Sequence, residues 1–172
     1  MKSVKLSYGY ACLVLVFLCG LVLWIHRDNL PGNIPMFQTL RGGILLTCPK
    51  SPLTIARLPL MHLDFLLLIL GAAKACPSGS DWSRIVRIAI LTATLKALFE
   101  ILALAYGISV LGIAAAGVVL LFLIVLIHFL WQRNWSFKFE TLPLTMAVRG
   151  WIGLGLLVYV LLTAMPFWLP SR

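Results

Sequence analysis

Residues 86–131 form an almost unbroken apolar stretch whose interior carries only two fully charged side chains, Lys96 and Glu100. A membrane-spanning helix needs about 20 apolar residues. One span cannot use up this stretch, so the chain has to reverse inside it. Tyr106-Gly107 supplies the place, because glycine permits the turn and no charge there demands a large aqueous loop. Three further apolar runs have the same character. The spacing therefore predicts five spans, at about 8–26, 53–73, 86–106, 108–131 and 150–169. A four-span chain with one long tilted helix would need a mismatch too large for tilt to absorb.

Composition agrees with lipid as the solvent. Of the 172 residues, 62% are hydrophobic and 11% charged, and the mean hydropathy is +1.04. A soluble domain of this size could not cover so much apolar surface with so few charges. The expected fold is thus an all-α integral membrane protein, a single membrane domain over 1–172 built as a bundle of five transmembrane helices. The formal net charge of +9 does not point to nucleic acid, because the basic residues are dispersed and no continuous basic face exists to neutralise a row of phosphates.

Those basic residues orient the bundle instead. With the N-terminus inside, Lys2, Lys5, Lys74, Arg84, Arg87, Arg133, Lys138 and Arg149 fall on the cytoplasmic side. Arg27, Arg41, Lys50, Arg57 and Arg172 fall outside. The bias favours an N-in, C-out arrangement in a bacterial cytoplasmic (inner) membrane, multi-pass. All six tryptophans (Trp24, Trp82, Trp131, Trp135, Trp151, Trp168) stand at span ends, as an interfacial belt would place them. A cleaved signal peptide is the alternative for the N-terminus, but no small-x-small site follows the first run, which is expected to stay as a helix. Residues 27–52 become an extracytoplasmic loop, and 74–85 and 132–149 cytoplasmic loops. Within the last, "WSFKFE" reads as an interfacial segment at headgroup level.

Chemistry-bearing motifs are scarce. Cys12, Cys19, Cys48 and Cys76 show no spacing that would hold a metal, and the topology puts Cys48 and Cys76 on opposite sides of the membrane. No nucleophile elbow, phosphate loop or dinucleotide fingerprint is present. Neither an enzyme nor a cofactor is expected.

Charged groups inside the spans are the sharper signal, since each is costly in hydrocarbon. His62, Asp64, Lys96 and Glu100 lie well within spans, and Arg57 lies near an outer boundary. Counted from Leu53 and Tyr106, Asp64 is about 16 Å deep, Lys96 about 15 Å, Arg57 about 6 Å and Glu100 about 9 Å. Arg57 and Asp64, seven apart, share one helix face, as do Lys96 and Glu100, four apart. The expectation is that these faces meet, pairing Asp64 with Lys96 and bringing Arg57 toward Glu100, with His62 pointing away. Such pairs could clamp two helices, form a proton or ion relay or contact site, or await a different subunit. Small residues at Ser109, Gly112 and Ala116 and at Gly150, Gly153 and Gly155 suit close helix packing, inside the bundle or against a partner.

The loop is rich in proline. Pro31 and Pro35 each remove a backbone donor, Gly42-Gly43 gives a flexible point, and Ser51-Pro52 is a good helix start. The apolar residues Ile34, Met36, Phe37, Ile44, Leu45 and Leu46 should draw the loop down onto the bundle. The pattern "LPGNIPMF…KSPLTIARLPLM" resembles a short N-terminal domain of unknown function found in many bacterial membrane proteins, including the immunity protein family against the sporulation-delaying toxin. The matching positions are Leu30, Pro31, Ile34, Pro35, Lys50, Ser51, Pro52, Leu53 and Pro59, within residues 8–73. The resemblance implies a role in toxin immunity or envelope signalling, with Leu30, Pro31, Ile34, Pro35 and Lys50 as the recognition element. The alternative is an accessory or assembly subunit of a larger membrane complex. The partners these readings allow are the lipid bilayer, another membrane protein or a peptide toxin.

Overall fold

The computed structural model describes residues 7–38, 44–76, 81–132 and 146–168. The "WSFKFE" segment and Gly42-Gly43 lie outside them. Five helices carry the fold: α1 (Ser7–Ile25), α2 (Pro52–Ala75), α3 (Asp81–Tyr106), α4 (Ser109–Gln132) and α5 (Met146–Trp168). Two strands, β1 (Asn33–Gln38) and β2 (Ile44–Pro49), lie between α1 and α2. The helix limits follow the apolar runs closely.

Local chemistry sets the ends that matter. At the start of α2 the Ser51 hydroxyl accepts a hydrogen bond from the Thr54 backbone N–H at 3.1 Å. Pro52 takes the first helical position, where its missing N–H costs nothing. At the end of α3, Gly107 adopts a left-handed φ of 65°. Ile108 N–H then bonds back to the Ala103 carbonyl at 3.1 Å. That is the six-to-one bond of a Schellman ending, which a glycine in this conformation makes possible. The long apolar stretch is thus folded back on itself at Gly107.

α1, α2 and α3 pack on one another, α4 lies along α3, and α5 lies along α2. The centre of the three-helix core holds Val16 and Leu23 of α1, Leu66 and Leu70 of α2, and Ile90, Ala97 and Ile101 of α3. Pro59 sits inside α2 and is tolerated where α1 supplies Gly20. A Cβ added at Gly20 would come within 2.9 Å of the Pro59 Cβ. Thr94, buried in the same core, gives its hydroxyl proton to the Ile90 carbonyl at 2.7 Å and so leaves no polar orphan.

Between α1 and α2 the structure departs from an irregular Pro-rich loop: β1 and β2 form an antiparallel hairpin pairing Asn33 with Pro49, Ile34 with Cys48 and Pro35 with Thr47. The register shifts beyond Pro35, next to a residue that has no N–H to give the ladder. The base of the hairpin is closed by Lys50, whose backbone N–H bonds the Gly32 carbonyl at 2.8 Å. Its ammonium reaches the carbonyls of Asp28 (3.3 Å) and Leu30 (3.2 Å). Leu30 and Ile34 are buried in the core cluster, Ile34 to 1% exposure. Ile34, with Leu30 just before the hairpin, thus anchors it on the helices, while the side chains of Met36, Phe37, Ile44, Leu45 and Leu46, expected to share that role, lie outside the described residues.

Three helices, covering Tyr8–Asn29, Pro52–Lys74 and Asp81–Tyr106, are long and apolar enough to cross a membrane. The apolar runs found among the described residues of α4 and α5 are the shorter Ala116–Gln132 and Arg149–Leu162. Large apolar side chains stand exposed on the outer faces, among them Val14 and Phe17 of α1, Leu120 and Ile124 of α4, and Leu157 and Val160 of α5.

Candidate functional site

The polar residues inside the bundle are sorted by α2, which turns one face to α3 and another to α5. Successive residues of a helix rotate by about 100°. His62 and Leu66 therefore share the side that faces α1 and α3, whereas Arg57, Asp64, Leu68 and Gly71 form a stripe on the far side.

On the α3 side, Glu100 is the hub. Lys96 Nζ donates to Glu100 Oε1 at 2.7 Å, one helical turn away on the same helix. His62 Nε2 lies 2.9 Å from Glu100 Oε2. The two atoms are within hydrogen-bonding distance, although the ring nitrogen is poorly aligned on the carboxylate. The carboxylate is thus bracketed by an ammonium and an imidazole. The cluster is not sealed: the Lys96 side chain is 37% exposed and that of Glu100 29%.

On the α5 side, two side chains bond main-chain carbonyls and close the two ends of a seam. Arg57, 3% exposed, donates from Nε to the Leu162 carbonyl at 2.6 Å. Within a helix that carbonyl would receive the N–H of residue 166, but residue 166 is proline and has none. Arg57 supplies the donor that Pro166 lacks. At the other end, Trp151 Nε1 donates to the Leu67 carbonyl at 3.2 Å. The indole reaches that carbonyl because Gly71 has no side chain, and a Cβ there would collide with the Trp151 ring. Between these bonds, Leu68 fills the space over Gly155, and Phe65 and Tyr159 face each other with ring centroids 6.1 Å apart. The order 57–162, 65–159, 68–155, 71–151 makes α2 and α5 antiparallel neighbours. Cys48 of β2 and Tyr159 also stand close enough to Arg57 to act on its charge, so the hairpin roofs this end of the seam.

The cross-helix pairing expected from the sequence does not form. Asp64 does not meet Lys96, and Arg57 does not approach Glu100: the stripe carrying Arg57 and Asp64 belongs to α5, and Lys96 spends its charge within its own helix. His62, expected to point away, is the residue that reaches Glu100. Asp64 keeps its Oδ2 buried with no hydrogen-bond partner among the described residues.

The loop residues expected to recognise a partner divide. Leu30 and Ile34 are buried anchors and present no outward surface. Pro31 is exposed, Pro35 pairs with Thr47 in the hairpin, and Lys50 is exposed while it staples the hairpin base. Of the small residues, Gly155 is an internal packing site, whereas among the described residues an added Cβ would meet nothing at Gly150 or Gly153, and the side chains at Ser109 and Gly112 lie outside the described residues. The four cysteines are free, with Cys48 and Cys76 beyond opposite ends of α2. No metal-holding group of three or more His, Cys, Asp or Glu side chains occurs among the described residues.

No family model, curated protein or solved structure matches this chain. Function has to be read from the residues themselves. Two contributors were missed in the sequence, Trp151 and Pro166. The signal for Pro166 was available: a proline in a predicted span frees a carbonyl four residues earlier, and a buried arginine at the same depth is a natural donor to it.

Proposed function

We propose that this chain is a multi-pass protein of a bacterial cytoplasmic membrane, non-enzymatic, acting as an accessory or assembly subunit of a larger membrane complex. The observation that carries this reading is the half-open Lys96–Glu100 pair. Lys96 lies about 15 Å from the hairpin end of α3, near the middle of a bilayer, with 37% of its side chain uncovered. A charged side chain at that depth costs about 2.5–3.5 kcal/mol when it faces lipid. A neighbouring chain that covers it removes that cost. The exposed apolar faces of α4 and α5 suit the same role, since each helix packs mainly along one other helix and leaves much of its surface to lipid or to another helix.

The test is gentle extraction of the tagged protein from membranes, followed by native mass measurement. The subunit reading expects a stoichiometric partner that is lost when Lys96 is replaced by leucine. A lone particle, or a partner indifferent to Lys96→Leu, would count against it.

A second reading, the immunity-like or envelope-signalling role implied by the loop, is supported by one feature. The described strands of the loop form a hairpin whose base is stapled by Lys50, with Pro31 and Lys50 exposed there. On that reading, Lys50→Ala abolishes protection or signalling and leaves the particle's composition unchanged.

A further inference from the structure

Among the described residues, the α2–α5 seam contains one buried polar group with no structural employment. Asp64 lies on the stripe defined by Arg57, Leu68 and Gly71, each of which has an assigned neighbour in α5. It is central along the helix, about 16 Å from Leu53 and about 16 Å from Ala75. Its Oδ2 is buried and has no hydrogen-bond partner among the described residues, and no ion pair to Asp64 occurs among those residues.

The charged and titratable groups around it are all committed elsewhere or on another side. Arg57, two helical turns toward the hairpin, is bound to the Leu162 carbonyl. From α5, Tyr159 meets Phe65, and Trp151 bonds Leu67. Lys96, Glu100 and His62 form their own cluster on the opposite face of α2, toward α3. From α1, Cys12 and Cys19 border the core that the opposite face of α2 helps to build.

From this arrangement we infer that Asp64 is a proton-binding site: its carboxyl is held as the neutral acid inside the seam, with the proton as its ligand. An ionised carboxylate with an unpartnered buried oxygen would carry a full charge into a low-dielectric interior, whereas the acid carries only the smaller cost of a polar group. The proton, rather than a second side chain, neutralises the site. Separation of α5 from α2 would admit water and let the acid ionise, so the occupancy of this site reports whether the seam is closed. The inference does not depend on the subunit reading, because it concerns the interior of one chain.

Infrared spectroscopy of the whole protein in bilayers at pH 7 tests it. The expected result is a carbonyl-stretch band of a weakly hydrogen-bonded carboxylic acid, shifted by exchange into heavy water. The band disappears in Asp64→Asn and persists in Glu100→Gln. Its absence from the native protein, or its loss only in Glu100→Gln, would overturn the proposal. Unfolding of Asp64→Asn gives an independent reading. The amide is a neutral isostere of the acid, so the unfolding midpoint should stay level or rise. A clear fall would mean that Asp64 works as an anion with a partner, and the proposal would be wrong.

Discussion

The bond between Arg57 and the Leu162 carbonyl can be tested by a double-mutant cycle with Pro166. Arg57→Met keeps the length and apolar stem of the side chain and removes the donor. The Leu162 carbonyl then remains beside a proline that offers it no N–H, in a site where the residue opposite it is 3% exposed. An unsatisfied buried carbonyl costs about 1–3 kcal/mol, and a hydrogen bond from a charged donor contributes about 1.5–3 kcal/mol. Against this stands the relief of no longer burying a guanidinium. We therefore expect Arg57→Met to destabilise by about 1–3 kcal/mol. Pro166→Ala restores the N–H and should stabilise α5, by less than the ~3 kcal/mol of a helix-interior proline because α5 ends two residues later. In the Pro166→Ala background the carbonyl has its own donor, so Arg57→Met should lose about 1–2 kcal/mol of its effect. The electrostatic influence of Cys48 and Tyr159 on Arg57 is present in both backgrounds and cancels. The assay is reversible unfolding in mixed micelles, followed by far-ultraviolet circular dichroism. Additivity within about 0.5 kcal/mol would refute the reasoning, since uncoupled sites behave that way.

Four other substitutions have defined outcomes. Glu100→Gln leaves the Lys96 ammonium without its counter-charge, and the same unfolding assay should show a loss of about 2–3 kcal/mol, below that of a fully buried broken pair because Lys96 is 37% exposed. Gly71→Val forces Trp151 off the α2 backbone and should make the Trp151 fluorescence more accessible to quenchers, while Gly153→Val, where no described residue stands within reach of an added Cβ, should not. Ser51→Ala removes the cap of α2 at a cost of about 1 kcal/mol, and Ser51→Asp should recover most of it. Burial pushes the Cys76 thiol, just beyond α2, above the usual thiol range. Its alkylation by a maleimide should therefore be slow at neutral pH, rise only at higher pH than for a free thiol, and become ordinary on unfolding.

The sequence read helices well and partners poorly, for a physical reason. Apolar run length and the properties of single residues are local, so the break at Tyr106-Gly107 and the start at Ser51-Pro52 were both legible. The faces of α2 were legible as well: Arg57 and Asp64 do fall together and His62 opposite. Which neighbour each face meets is set by long-range packing, and periodicity holds no information about it. The assumption that α3 would take the more charged face was wrong, because α5 takes it. The hairpin was hidden by Pro31 and Pro35, which discourage a strand assignment, and by the lack of alternation in a segment whose cross-strand pair Ile34 and Cys48 is buried.

Cysteine cross-linking in native membranes tests the division of α2 most directly. In a background where Cys12, Cys19, Cys48 and Cys76 are serine, the pair His62→Cys with Glu100→Cys should be joined by a short bifunctional thiol reagent that replaces the reach of the two lost side chains, since a direct disulfide needs closer Cβ atoms. The pair Asp64→Cys with Lys96→Cys should not be joined by the same reagent. The reverse pattern, or equal cross-linking of both pairs, would contradict the placement of α3 and α5 on separate faces of α2.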